Sequence, residues 1–448
     1  MTNKPKTTRI VIMGAAGRDF HNFNTVYRGD PASEVIAFTA TQIPDIAGRC
    51  YPPSLAGHGY PNGIPIVDES QLAQLCKEQR IGQVVFAYSD VDYARVMHSA
   101  SIVLASGADF VLLGPERTML QAAVPVIAIS AVRTGCGKSQ TTRWLSRLLK
   151  QHNLNVAVIR HPMPYGDLEH QAVQRFTTRA DLDAANCTVE EREEYEPHLA
   201  IGNVVYAGVD YAAIVARAAA DADIILWDGG NNDFPFIRPD LHLVLVDPMR
   251  PGNESSHHPG EAVLRMADII VVAKVNSASE ANIQRVINNA KKINRTAPIV
   301  RAASPVQLLE PELVRNRRVL VVEDGPTITH GGMPYGAGYV AATEAQAAEI
   351  IDPRRFAVKE IAAVYTQYAH IGAVLPAVGY HPSQLQALQE TINLSDADIV
   401  VAATPCDIGA LIKINKPIVR VRYEFAEVGE PKLAALVEKF LMEQGMAR

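Results

Sequence analysis

The sequence predicts an α/β protein in which mostly parallel sheets are flanked by helices. Short runs rich in β-branched residues alternate with helix-length amphipathic segments along the 448-residue chain. These runs are continuously apolar over strand length, which is typical of parallel strands covered on both faces. An Ala-Asp pair followed by β-branched residues recurs at Ala222, Ala267 and Ala397. It predicts three helix-to-strand junctions of one design.

Composition and charge restrict the possible partners. The formal net charge is −6, so no overall positive field attracts nucleic acid or an acidic membrane. Five scattered cysteines without a C-x-x-C pair indicate a reducing compartment. The first apolar run, I-V-I-M-G-A-A from Ile10, is short and broken by glycine, so it predicts neither a signal peptide nor a membrane span. We therefore expect a cytoplasmic protein without nucleic-acid or membrane partners.

A glycine loop, S-A-V-R-T-G-C-G-K-S-Q-T-T from Ser130, follows a predicted strand and opens a predicted helix. Its glycines allow consecutive backbone N–H groups to point inward, and Lys138 adds a positive charge for nucleotide phosphates. Val132 stands where the usual P-loop pattern has glycine, and Arg133 stands where variant P-loops have a signature lysine. We expect Arg133 to reach the γ-phosphate. The predicted nucleotide-binding residues of the loop are Thr134, Gly135, Cys136, Gly137, Lys138, Ser139 and Gln140.

Two further strand ends complete the predicted nucleotide site. Asp228 ends I-I-L-W-D and is expected to hold Mg²⁺ through water, with Ser139 as a direct ligand; a turn or helix-cap role is the alternative. Lys274 matches the lysine of the guanine-binding pattern N-K-x-D, and Asn276 replaces its aspartate. Because an asparagine oxygen is a weaker acceptor than a carboxylate, the sequence favours ATP over GTP.

Pattern changes divide the chain into three predicted domains. Residues 1–123 form a βαβ-like, Rossmann-like N-terminal domain, and residues 124–300 form the P-loop NTPase domain with a mostly parallel sheet. A turn-rich break, A-A-S-P-V, separates residues 301–448, an α/β extension that completes the site. This last region either extends the second sheet or forms a third α/β unit.

Turns rich in arginine, histidine and glycine follow several other predicted strands. They are G-A-A-G-R-D-F-H-N-F-N from Gly14, R-H-P-M-P-Y-G-D from Arg160, D-P-M-R-P-G-N-E-S-S-H-H from Asp247 and E-D-G-P-T-I-T-H-G-G-M from Glu323. Ligands of α/β proteins bind at the carboxyl ends of parallel strands. Candidate ligand contacts in these turns are Arg18, His21, Asn22, Arg160, His161, Arg250, His257, Thr329, His330 and Gly331.

Several of these residues could have a purely structural role instead of a ligand-binding one. Arg18, His21 and Asn22 could instead cap a helix, and the glycine-rich turn after Glu323 could be a plain flexible loop. Zinc binding by His257 and its neighbouring histidine lacks further ligands at suitable spacing. The acidic run T-V-E-E-R-E-E-Y-E-P-H from residue 188 is interpreted as a solvated helix face, with binding of a second metal as the lesser alternative.

Together and in this order, these motifs resemble the cyclic 2,3-diphosphoglycerate synthetase family over nearly the whole chain. The resemblance implies an ATP-dependent, Mg²⁺-requiring ligase that closes 2,3-diphosphoglycerate into an intramolecular pyrophosphate and releases ADP and phosphate. Such a small anionic substrate requires clustered cations, for which Lys138, Arg133, Arg160 and Arg250 are the predicted catalytic residues. The substrate-binding set is Arg18, His21, Asn22, His161, His257, Thr329, His330 and Gly331. We expect a homodimer. The alternative function is a P-loop ATPase or GTPase switch that acts on a protein partner.

Overall fold

A computed structural model describes residues 7–15, 17–41, 48–161, 166–230, 233–329, 331–379 and 382–446. His330, one of the predicted substrate contacts, lies outside these ranges. Within them the chain forms three main sheets, and helices accompany each of them. The prediction of a mixed α/β fold with parallel sheets is confirmed.

The first sheet is built from the N-terminal part of the chain. Its strands are β1 (Thr8–Met13), β2 (Ser33–Ala40), β3 (Cys50–Tyr51), β4 (Ile64–Asp68), β5 (Gln83–Phe86) and β7 (Asp109–Leu112), with β6 (Val91–Asp92) outside the sheet. The helices are α1 (Arg18–Asn22), α2 (Pro53–Ala56), α3 (Leu72–Glu78) and α4 (Tyr93–Ala105). The order is β3-β4-β2-β1-β5-β7, and only β3 pairs antiparallel within it.

The second sheet occupies the middle of the chain. Its strands are β8 (Val126–Ala131), β9 (Val156–Arg160), β10 (Gln174–Phe176), β11 (Val204–Ala207), β12 (Ile224–Asp228), β13 (Leu241–Val246), β15 (Ile269–Val272) and β16 (Ile299–Ala303). The helices are α5 (Lys138–Gln151), α6 (Arg179–Ala184), α7 (Val189–Leu199), α8 (Tyr211–Asp221), α9 (Gly260–Arg265) and α10 (Glu280–Ile293). Strand β14 (His257–His258) leaves this sheet and pairs with β6, so it links the first two parts of the chain.

The last part of the chain forms a third sheet and also returns to the second. Its strands are β17 (Val306–Leu308), β18 (Arg318–Glu323), β19 (Glu349–Ile350), β20 (Leu375–Pro376), β21 (Ile399–Ala403), β22 (Ile418–Tyr423) and β23 (Ala426–Val428). The helices are α11 (Pro311–Val314), α12 (Gly325–Ile328), α13 (Ala337–Glu344), α14 (Lys359–Gln367), α15 (Pro382–Leu394), α16 (Ile408–Leu411) and α17 (Leu433–Glu443). Strand β23 pairs with β16, and α17 packs into the core of the second sheet. The last region therefore both extends the second sheet and forms a third α/β unit, the two alternatives that the sequence left open.

Strand order places the P-loop strand in the middle of the second sheet. Among the described residues the order is β10-β11-β9-β12-β8-β13-β15-β16-β23, with antiparallel strands only at the two edges. Strand β8 is buried at every position, as its continuous apolar sequence predicts. The third sheet has the order β17-β22-β21-β18-β19, and its central strands β21 and β18 are parallel.

The three Ala-Asp junctions share one physical design. Each aspartate stands directly before a strand, β12, β15 or β21, and its carboxylate accepts the backbone N–H at the start of a nearby strand. The pairs are Asp223 with Asn155 N (2.8 Å), Asp268 with His242 N (2.8 Å) and Asp398 with Arg318 N (2.9 Å). The aspartate thus satisfies a backbone donor that has no ladder partner there. The predicted helix-to-strand junctions are confirmed.

Arg18 joins the N-terminal part to the second sheet. Its Nε lies 3.0 Å from Asp233 Oδ1, its Nη1 donates to Thr118 Oγ1 over 3.2 Å, and its guanidinium stacks 4.2 Å from the ring centre of Phe236. The His21 ring also stacks on Phe236, at a centroid distance of 4.1 Å. These contacts give both residues a structural role between sheets.

We predict that Arg18→Ala lowers the free energy of unfolding by about 3 to 5 kcal/mol, because it leaves the buried Asp233 carboxylate without its cation. Urea denaturation measures this loss, and Arg28→Ala, an exposed arginine in the same part of the chain, is the control. Unchanged stability together with a raised KM would instead favour ligand contact by Arg18.

Candidate functional site

A cleft of about 370 Å³ lies between the carboxyl ends of strands from the second and third sheets. One wall is the P-loop region, and its lining residues are Thr134, Gly135, Gly137, Lys138, Ser139, Gln140, Arg143, Arg160 and His161. A second set of lining residues comprises Glu323 and Asp324 at the end of β18, Tyr423 at the end of β22, and Glu190, Glu193 and Glu194 from α7. We call the two sets the cationic wall and the acidic wall; they meet where Arg160 pairs with Glu194.

The cationic wall has the predicted order of strand, glycine loop and helix. Gly135 and Gly137 have φ values of 78° and 107°, which favour glycine, and a Cβ on Gly137 would lie 2.5 Å from Gln140 Nε2. Helix α5 begins at Lys138, which is only 9% exposed. Val132, in the unusual first slot, is buried in the core of the second sheet. Its side chain is therefore a packing element.

Asp228 is the centre of a buried polar network behind Lys138. Arg160 Nη1 lies 2.5 Å from Asp228 Oδ2, and His198 Nε2 lies 3.1 Å from the same oxygen. Burial opposes ionisation of Asp228, but Arg160 and His198 outweigh it and hold the pKa of the carboxyl below its ordinary value. Arg160 is also paired with Glu194, and it contacts Ser139 Oγ over 3.4 Å.

The predicted magnesium ligands fit such an ion chemically. Asp228 Oδ1 is buried and has no hydrogen-bond partner among the described residues, although Oδ2 has two. The Ser139 hydroxyl stands close by, since both side chains contact Arg160. A serine hydroxyl and an aspartate reached through water form an oxygen donor set suited to Mg²⁺. The described residues contain no cluster of three or more His, Cys, Asp and Glu side chains suited to a metal.

Three of the predicted phosphate-binding or nucleotide-binding cations are bonded to neighbouring acids, an amide or loop carbonyls. Arg133 Nε lies 2.6 Å from Asp90 Oδ1, and its guanidinium also bonds to Asn253. Arg250 Nη2 donates to Thr134 O over 2.8 Å, and Lys274 Nζ donates to Gly135 O over 2.6 Å. Nearby acids and loop carbonyls thus engage donors of all three cations, and their contact with the nucleotide stays a prediction.

Asn276 links two strand ends. Its Oδ1 accepts from Ser304 N over 2.7 Å, and its Nδ2 donates to Ser304 O over 3.3 Å. Both ends of the amide are thus bonded to the backbone that follows β16. Contact with the nucleotide base, and with it the preference for ATP, stays a prediction.

The acidic wall was missed by the sequence interpretation. Helix α7 buries Glu191, Arg192, Glu193, Glu196 and His198, so the prediction of a solvated helix face is wrong. The helix lies between the second sheet and the third-sheet region, where these charges find distant partners. The capping box of Thr188 and Glu191 is the one local signal in this run, and it marks only where the helix starts.

Three carboxyl groups of this wall have raised pKa values. Burial and the neighbouring Asp324 raise the pKa of Glu193 well above its ordinary value, and Thr404 donates to its carboxyl. Burial raises the pKa of Glu323 to about 7, although three backbone N–H groups at 2.8 to 3.2 Å oppose that rise. Burial likewise raises the pKa of Asp324. Burial therefore favours the protonated form of all three carboxyl groups.

The remaining predicted contacts lie at different distances from this cleft. His161 lines it, whereas Arg18, His21, Asn22 and His257 are not among its lining residues. Thr329 is 5% exposed and donates to Gly325 O over 2.8 Å. The Gly331 carbonyl accepts from Arg250 Nη1 over 2.8 Å. His257 and its neighbour form β14, which joins two parts of the chain.

The strand, glycine loop and helix, with Asp228 at the neighbouring strand end, define an α/β protein of the P-loop type. No protein-family model matches the sequence. The chain is 57% identical over 435 residues to the arginine synthetase ArcE of Thermococcus kodakarensis, covering 97% of each chain. The chain belongs to the family of that synthetase.

Overall agreement with solved structures is low. LpxK from Aquifex aeolicus, solved with ATP, shows 13% identity and a TM-score of 0.42, covering 72% of this chain and 90% of that one. The hydrogenase maturation factor HypB from Archaeoglobus fulgidus shows 16% identity and a TM-score of 0.26, covering 40% of this chain and 80% of that one.

No helix among the described residues is both long and apolar enough to cross a membrane.

The relative's name agrees with the predicted enzyme class, a synthetase. That name specifies arginine as the product, whereas the resemblance of the sequence motifs implies cyclic 2,3-diphosphoglycerate. The cyclisation of 2,3-diphosphoglycerate therefore stays a prediction.

We predict that Lys138→Ala lowers nucleotide turnover by at least about 100-fold, because it removes the loop's buried cation beside Asp228. Steady-state release of ADP measures this loss, and thermal melting checks that the fold persists. Lys439→Ala, on the exposed face of α17, is the control. Turnover equal to that of the unchanged protein would contradict the P-loop assignment.

We predict that Glu323 makes the empty protein less stable as pH rises from 4.5 through about 7. A carboxyl group with a raised folded-state pKa binds its proton more tightly when folded, so losing that proton costs on the order of 3 kcal/mol of unfolding free energy. Urea denaturation across this pH range should show a flatter dependence for Glu323→Gln. The exposed Glu344→Gln is the matched control, and equal slopes for all three proteins would refute the assignment.

Proposed function

We propose that the protein is an ATP-dependent ligase that forms arginine by completing its guanidinium group. The observation that carries this proposal is the division of charge in one cleft. Lys138 and Arg160 lie on the wall where a nucleotide's phosphates would bind, and Glu193, Glu323 and Asp324 lie on the other wall. The family relationship to an arginine synthetase supports the same product.

The acidic wall suits a cationic group. A planar guanidinium pairs with carboxylates through parallel hydrogen bonds. In contrast, 2,3-diphosphoglycerate carries two phosphates of about −1.5 to −2 charge each, together with a carboxylate. Placing that substrate opposite three buried carboxyl groups would add repulsion unless all three were protonated. Because a bound cation favours the ionised form of these carboxyl groups and a bound anion opposes it, the wall favours arginine or an amine over a bisphosphate.

The chemistry follows from the product and from the use of ATP. Arginine's guanidinium can be made in one phosphorylation-driven step from its ureido analogue, in which oxygen replaces one nitrogen, together with ammonia. The γ-phosphoryl group passes to the ureido oxygen, the ammonia nitrogen forms the new C–N bond, and the C–O bond breaks. Phosphate and ADP leave, and the product remains protonated as a guanidinium.

The chain's own residues would divide the work by wall. The loop N–H groups and Lys138 hold the phosphates, while Arg160 stands beside them and neutralises charge that develops during transfer. Mg²⁺ held by Ser139 and, through water, by Asp228 would screen the phosphate oxygens. On the opposite wall, Glu193 and Asp324 orient the nitrogen-bearing group and can receive the proton that ammonium must lose.

Cyclic 2,3-diphosphoglycerate synthesis is the second candidate. The motif resemblance supports it, and so do the cations in the cleft, namely Lys138, Arg143, Arg160 and His161. A nucleotide-driven switch would hydrolyse ATP without needing either substrate. The homodimer, the absence of nucleic-acid and membrane partners and the cytoplasmic location remain predictions.

The decisive experiment incubates the protein with MgATP and the ureido analogue of arginine plus ammonium, or with 2,3-diphosphoglycerate alone. We expect arginine, ADP and phosphate in equal amounts from the first mixture. With an ¹⁸O-labelled ureido group, the label should appear in phosphate. Lys138→Ala is the inactive control.

Other outcomes identify the alternatives. Conversion of both phosphorus signals of 2,3-diphosphoglycerate into coupled anhydride signals, with no arginine from the first mixture, would establish the second candidate. ADP release at one rate in every mixture would indicate a switch. Either result would overturn the arginine-forming proposal.

A further inference from the structure

We propose that Arg143 binds the α-carboxylate of the amino-acid substrate, an inference that rests on the proposed arginine-forming function. Arg143 lies on α5 and lines the cleft, yet it is only 8% exposed. Among the described residues its guanidinium has no hydrogen bond and no ion pair at contact distance. The P-loop pattern does not include it, because that pattern ends at Ser139.

The two acids that influence the pKa of Arg143 are bonded to other arginines. The Glu424 carboxylate accepts hydrogen bonds from both terminal nitrogens of Arg147, at 2.9 and 3.2 Å, and Asp228 forms an ion pair with Arg160. Glu424 and Asp228 raise the pKa of Arg143 by their charge, but each of them forms its ion pair with a different arginine. An unpaired buried guanidinium is costly, since desolvation is not offset by a counter-ion. A bound anionic group would supply the missing counter-ion.

Tyr423 places Arg143 within reach of the acidic wall. Tyr423 lines the cleft, and burial raises the pKa of its hydroxyl; Asp324, Glu193 and Glu323 raise that pKa further, whereas Arg143 lowers it. The same cleft thus offers a guanidinium and a group of carboxyls. An amino acid that carries a carboxylate and a cationic or ureido group can use both.

A phosphate oxygen of the nucleotide is the other possible source of the anion. Helix α5 begins at Lys138, so Arg143 stands roughly 7.5 Å farther along the helix axis than the phosphate-facing first residue. The loop N–H groups, Lys138 and Arg160 are the donors at the helix start. We therefore assign the anion at Arg143 to the substrate carboxylate.

The test compares arginine with agmatine, the same molecule without its carboxylate, by calorimetry in the presence of MgADP. The unchanged protein should bind agmatine about 10- to 100-fold more weakly than arginine, the loss expected for a charge-assisted hydrogen bond. Arg143→Met should bind arginine as weakly as agmatine. It should leave agmatine and ATP affinities unchanged, and its melting temperature should be equal or higher.

Each other outcome decides against a specific statement. Equal losses for arginine and agmatine would show a structural role for Arg143, and a selective loss of ATP affinity would assign the anion to the nucleotide. If Arg143→Met does not fold, Arg143→Lys and the ligand pair on the unchanged protein still test the proposal. Equal binding of both ligands by the unchanged protein overturns this inference alone, whereas binding of neither overturns the proposed function as well.

Discussion

The P-loop and the glycine-rich turn that follows β18 and α12 are tied together by the guanidinium of Arg250. It is paired with Asp247 over 2.9 Å and donates to Thr134 O in the P-loop and to Gly331 O beyond β18. Lys274 also contacts Asp247 and holds the next loop residue, Gly135. Because carbonyls of a phosphate loop must point away from the anion, cations that hold those carbonyls keep the N–H groups turned inward. The same arginine joins the P-loop to the turn that follows β18 and α12.

This constraint separates binding of the phosphates from binding of the other substrate. The loop supplies donors for phosphate, and Arg250 and Lys274 hold its carbonyls. Lys138, Arg143 and Arg160 line the cleft together with Glu193 and Glu323, whose pKa values burial raises. Opposite charges in a partly dry cleft orient a dipolar substrate strongly, because water screens them less there.

Local features of the fold could be predicted from the sequence. Continuous apolar runs identified buried strands, the glycine loop identified its own strand and helix, and the Ala-Asp junctions identified helix-to-strand transitions. The positions of α7 and of several arginines could not be predicted in that way. Glu193 receives its hydrogen bond from Thr404, 211 residues away, and Arg133 finds Asp90, 43 residues earlier. In the sequence, the charge run of α7 is indistinguishable from a solvated helix face, because the partners that bury it come from distant parts of the chain.

A crystal structure with MgADP and arginine tests most directly whether one cleft holds both reactants in this polarity. The account predicts ADP phosphates on the loop N–H groups and the arginine guanidinium within hydrogen-bond distance of Glu193 and Asp324. Arginine bound with its guanidinium away from that acidic wall, or outside the cleft, would contradict the account.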